Sequence, residues 1–329
     1  MRPTPFLKTC ILAIVASLPC MAWPQISADV YPAKPVTVVV PFTPGGSTDI
    51  ETRLYAQKLS DNTGQPFLVD LKPGAGTTTG TNYVARATPD GYTLLSYTSS
   101  FTSAPALFVN ITYDPVKDFA PISLMSKRTI VMVMTPSVPI RTISEYIAFT
   151  KARPGEINVA TPGAGSGPHL NGVWLQDLIN TKVTFVHYKG AGQSLIDLLA
   201  GRVHMISTLM TTAFPYIKTG KLQAIAVANA ERSLLMPNLL TVAEQGVSGY
   251  DYPASPFGIV APAATPATVV NKLHRELVRV AKAPDIVMKI EADGGQTVAN
   301  TPDQFRKIIV SEIARYRKLA QDHGIKLEE

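Results

Sequence analysis

Cysteine is almost absent from this chain, and its absence limits how the protein can be stabilised. Of 329 residues two are cysteine, Cys10 and Cys20, so no residue beyond position 20 can form a disulfide or act as a thiol. A chain without disulfides has to be stabilised by its hydrophobic core. About 300 residues follow this segment, which is enough for a large core and for a division into two lobes.

Long apolar runs are missing beyond residue 22, where no stretch approaches the ~20 residues that a membrane-spanning helix needs. The apolar stretch before that point, residues 11–22, is short and follows Arg2 and Lys8. This arrangement is typical of a signal peptide. We therefore expect residues 1–28 to be removed, with Ala22 as the alternative cleavage point, and the remaining chain to be periplasmic.

The charge balance argues against nucleic acid as a partner. Lys and Arg number 30 against 24 Asp and Glu, and the formal net charge is +6. The basic residues are scattered along the chain, whereas a nucleic-acid-binding surface needs a clustered basic patch or stripe. The small positive excess favours an anionic ligand only slightly.

The patterns of metal sites and hydrolytic enzymes are missing as well. The five histidines, at positions 169, 187, 204, 274 and 323, show no zinc-type spacing. Ser47 and Ser166 lie among glycines, but neither fits the Gly-x-Ser-x-Gly pattern or has a base in a recognised order. We expect no enzyme, no metal and no cofactor. A secreted α/β hydrolase that uses one of these serines is the alternative.

Apolar runs alternate with amphipathic segments, which predicts an α/β fold. Residues 36–42 are a predicted buried strand followed by a helix over residues 47–62, and the pattern recurs from residue 158 onward. Because no long linker separates two halves, we expect the chain to cross between the lobes more than once. The predicted lobe 1 comprises residues 29–128 and 254–329, and lobe 2 comprises residues 129–253.

Two glycine-rich segments of the same design lie between a predicted strand and a predicted helix. They are Pro41-Phe42-Thr43-Pro44-Gly45-Gly46-Ser47-Thr48-Asp49 and Ala160-Thr161-Pro162-Gly163-Ala164-Gly165-Ser166-Gly167-Pro168-His169. Glycines let backbone N–H groups converge, and a helix N-terminus adds partial positive charge. Each segment alone fits an ordinary turn, whereas the matched pair predicts a receptor for a carboxylate or phosphate. Ser47, Thr48 and Ser166 can add hydroxyl donors.

Two further positions near these segments are candidates. Thr78, in the turn Lys72-Pro73-Gly74-Ala75-Gly76-Thr77-Thr78, is the residue of that turn most suited to reach a ligand. His169 begins a helix beside the second glycine segment. It either contacts the ligand or fixes the loop, and contact is the favoured interpretation.

A series of short segments, in the same order along the chain, carries a family resemblance. They are Tyr31-Pro32, Pro41-Phe42-Thr43-Pro44-Gly45-Gly46, Pro73-Gly74-Ala75-Gly76, Pro89-Asp90-Gly91-Tyr92, Tyr113-Asp114-Pro115, Ser166-Gly167-Pro168-His169-Leu170, Tyr188-Lys189-Gly190, Pro237-Asn238-Leu239 and Phe257-Gly258-Ile259. Together they resemble the Bug-type solute-binding proteins of tripartite tricarboxylate transporters.

The resemblance implies a type II periplasmic-binding-protein fold, with two α/β lobes hinged like a clam. It implies that the two glycine loops clamp a small carboxylate through amides, hydroxyls and water. It also implies two integral membrane subunits as partners, and the chain itself is expected to be a monomer. A sensor role through the same cleft is an alternative to transport.

Departures from the family pattern bear on the ligand. Thr208 stands where the family often has an acidic residue that neutralises the ammonium of an amino acid. We therefore expect a dicarboxylate without an amine, either aromatic, such as terephthalate, or aliphatic. Ser99 and Phe101, in a segment treated as a loop, are expected to supply a hydroxyl and a ring near the cleft. The predicted ligand-binding set is Phe42, Gly46, Ser47, Thr48, Thr78, Ser99, Phe101, Ser166, Gly167, His169 and Thr208.

Overall fold

Eleven strands and ten α-helices form the described part of the chain, which in this computed structural model comprises residues 31–108, 111–250 and 252–322. The strands are β1 Val36–Val40, β2 Phe67–Leu71, β3 Thr93–Tyr97, β4 Phe119–Arg128, β5 Ile130–Met134, β6 Asn158–Thr161, β7 Thr184–His187, β8 Met205–Leu209, β9 Gln223–Val227, β10 Ser255–Pro262 and β11 Gly295–Thr297. The helices are α1 Ser47–Thr63, α2 Thr78–Ala85, α3 Ser99–Leu107, α4 Ile143–Ala152, α5 Gly167–Leu178, α6 Ala191–Leu199, α7 Met210–Lys218, α8 Ala267–Ala281, α9 Pro284–Ala292 and α10 Pro302–Asp322. The predicted signal peptide, residues 1–28, lies outside the described residues.

The strands form two separate mixed sheets. The first has the order β11-β4-β10-β3-β1-β2, and the second has the order β7-β6-β8-β5-β9. In the first sheet β1 is parallel to β2 and β3, and β10 runs antiparallel to β3 and β4. In the second sheet β6 is parallel to β7 and β8, whereas β5 is antiparallel to β8 and β9. Two α/β lobes, as the alternating pattern predicts, are therefore present.

The chain passes between the two sheets twice. Strand β4 of the first sheet ends at Arg128 and β5 of the second begins at Ile130, so Thr129 alone connects them. The return lies between Val227, the end of β9, and Ser255, the start of β10. The predicted lobe boundaries, after residue 128 and after residue 253, fall at these two crossings. They remain a prediction.

Polar side chains tie the two crossings together. Asn229 Oδ1 accepts the Ile130 backbone N–H at 2.7 Å, and its Nδ2 donates to the Tyr252 carbonyl at 3.3 Å. Thr129 Oγ1 donates to the Gly294 carbonyl at 2.8 Å. The two crossing segments are thus linked to each other through Asn229, and the first is also bonded to the Gly294 carbonyl.

The lobes are stabilised by apolar faces of the kind that the sequence periodicity indicates. In α10 the residues Phe305, Ile309, Ile313 and Tyr316 are buried, at the three- and four-residue spacing of one helix face. Among the described residues no helix combines the length and apolarity needed to span a bilayer.

One segment treated as a loop on sequence is helical. Thr98 has an extended backbone, and helix α3 begins directly after it at Ser99. Thr98 is of a residue type common at helix starts, but its side chain makes no capping hydrogen bond, and Pro105 lies inside the helix. Because Ser and Thr are also common in turns and a helix breaker is present, the sequence pattern alone favours a loop here.

A buried ion pair lies next to the first crossing. The Arg128 guanidinium contacts the Glu51 carboxylate of α1 with two nitrogens, one of them Nε at 3.1 Å. Their side chains are 5% and 3% exposed, respectively, and Arg128 also donates to the Ile290 carbonyl at 3.3 Å. Such a pair fixes geometry, and removing one partner leaves an uncompensated buried charge.

We predict that Glu51→Ala lowers the free energy of unfolding by about 3 kcal/mol, because the buried Arg128 then keeps only the half-exposed Asp293 carboxylate, 3.7 Å away, as a counter-charge. Urea denaturation measures this loss, and Arg128→Met combined with Glu51→Ala should recover part of it. The control is Glu156→Ala, which breaks an exposed pair with Arg153 and should change little. An equal loss in Glu51→Ala and the control would contradict the prediction.

Candidate functional site: a neutral cavity between the two lobes

The parallel strands of each sheet direct their carboxyl ends toward the space between the lobes. Helix α1 follows β1, α3 follows β3, α5 follows β6 and α6 follows β7, and all four begin at this edge. Ligands of open α/β sheets bind outside the carboxyl ends of the strands. The fold therefore assembles a site from loops that are far apart in sequence.

A cavity, here called the central cavity, lies between the lobes at that edge. Its volume is about 80 Å³, counted as the space open to the centre of a water molecule. Residues of both lobes line it, namely Phe42, Gly46, Ser47, Thr48, Thr98, Ser99, Ser100, Ile130, Pro162, Ser166, Gly167, Pro168, Ala191, Ser194, Ile206, Ser207, Thr208, Leu209, Ser255 and Phe257. None of these lining side chains is charged.

Helix N-termini supply partial positive charge to the central cavity. The first residues of α1, α3, α5 and α6, which are Ser47, Ser99, Gly167 and Ala191, all line it. In α1 the first intrahelical hydrogen bond runs from the Ile50 N–H to the Gly46 carbonyl, so the amides before Ile50 have no helical partner. Unpaired amides and aligned helix dipoles favour an anion.

Hydroxyl groups supply the side-chain donors. Seven of the hydroxyls that line the central cavity have no hydrogen-bond partner among the described residues. They are those of Ser47, Thr48, Thr98, Ser99, Ser100, Thr208 and Ser255. Ser166 Oγ accepts the His169 N–H at 3.4 Å as the cap of α5, which leaves its own hydrogen free. The cavity therefore has many more free donors than committed ones.

Two lining hydroxyls have already donated their hydrogens. Ser207 Oγ donates to Asn171 Oδ1 at 3.0 Å, and Ser194 Oγ donates to the Ala191 carbonyl at 2.8 Å. Asn171 is itself fixed by Tyr250, whose hydroxyl accepts from its amide nitrogen. These two serines therefore present mainly lone pairs to the cavity.

A hydrogen bond between the lobes holds the second glycine loop against the first lobe: Ser103 Oγ of α3 donates to the Gly165 carbonyl at 2.7 Å. Tyr252 Oη, in the segment that returns to the first sheet, donates to the Gly167 carbonyl at 2.6 Å. A Cβ added at Gly190 would lie 1.9 Å from Thr43 Oγ1 of the opposite lobe. The lobes thus touch around the cavity, and the structure corresponds to a closed arrangement.

His169 fixes the loop and is not among the residues that line the central cavity, so the structure places it in the supporting role, and its contact with a ligand stays a prediction. Its Nδ1 accepts the Gly165 N–H at 3.1 Å, and its ring lies edge-on against His187 with ring centroids 4.6 Å apart. Burial, and to a smaller extent the neighbouring His187, lowers the pKa of His169 from 6.5 to about 4. The imidazole is therefore neutral at pH 7 and available as an acceptor for the loop amide.

Two other predicted contacts lie outside the central cavity. Phe101 is 2% exposed and packs edge-to-face on Tyr97 and Phe119, with centroids 5.4 and 4.9 Å away. The reason is the helical start of α3: Ser99 and Ser100 face the cavity, and Phe101 turns into the lobe core. Thr78 is the first residue of α2 and is not among the lining residues, because a 3-10 turn, Ala75–Thr77, precedes it.

The remaining predicted residues are brought together around the central cavity. These are Phe42, Gly46, Ser47, Thr48, Ser99, Ser166, Gly167 and Thr208. Residues that sequence reasoning missed include several from strands, among them Ile130 of β5, Ser207 of β8 and Phe257 of β10. No local motif marks them, because pairing of distant strands places them there.

Metal binding finds no support in the described ranges, where no group of three or more His, Cys, Asp or Glu side chains could hold an ion. Asp49 of the first glycine segment accepts the Gly45 N–H at 2.9 Å and the Arg53 Nε–H at 2.6 Å. It supports the loop and the start of α1 from inside the lobe.

Comparison with known proteins assigns the family. The family model described as TctC, tripartite tricarboxylate transporter family receptor, matches residues 52–325. The chain belongs to this family. It is 36% identical over 306 residues to protein BugT of Bordetella pertussis, which is 92% of this chain and 93% of BugT. The predicted resemblance to Bug-type proteins is confirmed.

Solved structures of similar proteins agree with the two-lobe fold of this receptor. The structure of R. palustris Rpa4515 with adipate has a TM-score of 0.87 and 31% identity, covering 91% of this chain and 100% of that one. MatC from Rhodopseudomonas palustris with bound malate has a TM-score of 0.83 and 29% identity, covering 88% and 99%. The family consists of solute-binding receptors, so the expectation that the chain is not an enzyme is confirmed by membership in the family.

We predict that acid destabilises this receptor partly through His169. The unfolded chain binds a proton here near pH 6.5 and the folded protein only near pH 4, so the contribution to stability present above pH 6.5 is lost as the pH falls toward 4. Relative to His169→Asn, which keeps an acceptor but does not titrate, the wild type should lose on the order of 3 kcal/mol more between pH 7 and 4. Urea unfolding at both pH values measures the difference. Equal losses in the two proteins would rule out this role.

Proposed function

We propose that this receptor captures an amine-free aliphatic dicarboxylate in the periplasm and delivers it to two integral membrane subunits of a transporter. The observation that carries the proposal is the central cavity, which has free hydroxyl donors and four helix N-termini but no charged side chain. The cavity lies between two lobes that are hinged at short crossings, so a ligand there would be bound by closure.

The donor-rich lining supports an anionic ligand. A carboxylate only accepts hydrogen bonds, and charge-assisted hydrogen bonds are about twice as strong as neutral ones. Ser47, Thr48 and Ser166 can donate to it together with the unpaired amides at the starts of α1 and α5. Such a set compensates a buried carboxylate without Arg or Lys.

The absence of acidic lining residues argues against amino acids as ligands. A buried ammonium without an anionic partner costs several kcal/mol even after relaxation. Thr208 is 6% exposed in the cavity wall, and its neutral hydroxyl cannot provide that charge.

Donors at both ends of the cavity support a second carboxylate. Ser47 and Ser166 belong to loops far from the hinge, whereas Thr208 and Ser255 lie where β8 and β10 approach the crossings. Phe42 is among the apolar residues of the wall, which also include Ile206, Leu209 and Phe257. This distribution suits a hydrocarbon spacer with a carboxylate at each end.

The small central cavity, about 80 Å³ in volume, favours an aliphatic diacid over terephthalate. A flexible chain can bend to fit a confined space, whereas a rigid ring holds its two carboxylates at one fixed separation. The aromatic alternative also loses support because Phe101 lies in the lobe core. Similar proteins of known structure carry adipate and malate, both aliphatic diacids.

The periplasmic location rests on the basic and apolar pattern of residues 1–22 and on membership of a transporter receptor family. The membrane subunits are inferred from the same membership. N-terminal sequencing of the exported protein would locate the cleavage point.

A competition series by calorimetry on the mature receptor tests the ligand class. We predict that adipate and malate bind more tightly than terephthalate, and that hexanoate, which lacks the second carboxylate of adipate, and glutamate bind at least tenfold more weakly than the better diacid. The reasons are the second set of donors and the missing counter-charge for an ammonium. Glutamate as the tightest ligand would refute the amine-free proposal, and hexanoate equal to adipate would refute the role of the second carboxylate.

We predict further that Thr208→Asp abolishes diacid binding and reduces the affinity for glutamate less. The difference in affinity between glutamate and the diacids therefore narrows. The new carboxylate repels the diacid and offers an anionic partner for an ammonium. Thr208→Asn is the matched control, because it changes shape similarly without adding charge. If Asp and Asn weaken diacid binding equally, position 208 acts through size and not through charge.

A further inference from the structure

A second cavity, here called the side cavity, adjoins the central cavity and shares Phe42, Pro162 and Ser166 with it. Its volume, counted in the same way, is about 230 Å³. The first lobe contributes the turn Gly74-Ala75-Gly76-Thr77, and the second lobe contributes the segment His187-Tyr188-Lys189. The two lobes therefore face each other across this space as well.

The side cavity lies at the edge farthest from the hinge. The turn at Gly74 follows β2, the outermost strand of the first sheet, and Lys189 follows β7, the outermost strand of the second. The crossing strands β4 and β5, and the returning strand β10, lie toward the opposite side of each sheet. A hinge motion separates the lobes most at the edge farthest from the hinge, so this is where a closed receptor opens first.

Lys189 is the charged residue at this mouth. Its side chain is exposed and has no ion pair or hydrogen bond within the described part of the chain, and no Asp or Glu lines the side cavity. The nearest acidic residue along the chain, Asp197, is already paired. Its carboxylate accepts hydrogen bonds from the Tyr188 hydroxyl and from Arg202, each at 2.7 Å. The positive charge of Lys189 is therefore not neutralised locally.

His187 is the other side chain of the side cavity that could carry a positive charge. Desolvation lowers its pKa. Its Nδ1 lies 2.7 Å from Thr161 Oγ1 and is committed to that contact. His187 thus adds no charge at neutral pH, and Lys189 accounts for the positive potential at the mouth.

We propose that the side cavity is the first docking site of the anionic ligand, where Lys189 attracts the dicarboxylate before closure transfers it to the central cavity. This inference rests on the proposed function. The central cavity contains no cation, and helix dipoles act only within about the first turn. Attraction over a Debye length, about 10 Å at 0.1 M salt, requires a full charge such as that of Lys189.

The role assigned to Lys189 has a kinetic signature. A steering charge that the bound ligand does not touch changes the association rate constant and leaves the dissociation rate constant unchanged. At about 10 mM salt we expect Lys189→Gln to slow association of the adipate dianion about three- to tenfold, and the difference should nearly vanish at about 500 mM salt. Lys189→Glu should slow it further.

The experiment is stopped-flow mixing of the mature receptor with adipate, and with malate as a second probe, over a salt series. Lys221→Gln is the matched control, because it removes the same charge from the same lobe. Lys221 lies just before β9, which runs in the same direction as β8 because β5 is antiparallel to both. The start of β9 is therefore at the edge of the sheet away from the cleft. Monomethyl adipate, with one charge instead of two, should show a smaller effect of Lys189→Gln.

The outcomes separate this inference from the proposed function. Slower, salt-dependent association in Lys189→Gln with unchanged dissociation, and wild-type behaviour of Lys221→Gln, support the docking role. Faster dissociation with unchanged association overturns it, because Lys189 would then contact the bound ligand. Equal effects of the two lysine variants also overturn it, because net charge alone would explain them. Failure of every diacid to bind overturns the proposed function and this inference together.

Discussion

Recognition in this receptor depends on directional, neutral donors, and the architecture follows from that constraint. A single amide or hydroxyl contributes little, so several must converge on one point to compensate a buried carboxylate. No single loop can supply them all. The two sheets solve this by directing the carboxyl ends of β1, β3, β6 and β7 to one cleft, where four helices begin. The double crossing of the chain is what places two such edges opposite each other.

Convergent donors work only if their own backbone is fixed, and the second glycine loop shows how this is done. The Gly165 amide is bound by His169 and its carbonyl by Ser103, while the Gly167 carbonyl is bound by Tyr252. The free polar groups of the loop are then those that face the cavity. Of the three supporting side chains, Ser103 belongs to the first lobe. Its hydrogen bond to the loop exists only while the lobes are together, which links the geometry of the loop to closure.

A residue of the site could be predicted from the sequence only where a short segment of the chain carried a recognisable pattern. Residues 41–49 and 160–169 were recognisable because a strand pattern, glycines and a helix start follow one another within about ten residues. Phe101 was misplaced because the Thr and Ser residues at the start of α3 occur in turns as well as at helix starts, and a shift from loop to helix turns that side chain from cleft to core. His169 was correctly located beside the loop, but sequence could not tell contact with the ligand from contact with the Gly165 amide.

Other lining residues had no local signal at all. Ile130, Ser207 and Phe257 reach the cavity because β5 pairs with β8 and β10 pairs with β3 and β4, over separations of more than 70 residues. The sheet order that brings them together is a property of the whole fold. These residues of the cavity wall therefore became visible only in three dimensions, whereas Thr208 had been named from the sequence.

The positions of the charged and neutral groups affect ligand affinity and the rate of ligand association separately. A lysine inside the central cavity would have to lose its hydration, which costs several kcal/mol per ion and offsets much of its attraction for a carboxylate. At the exposed mouth Lys189 keeps its hydration and still acts over several ångströms. Neutral donors inside can release the ligand to a membrane partner once the lobes part and the Ser103 contact breaks. A receptor that must both collect a dilute anion and give it up is better served by charge outside the cavity than within it.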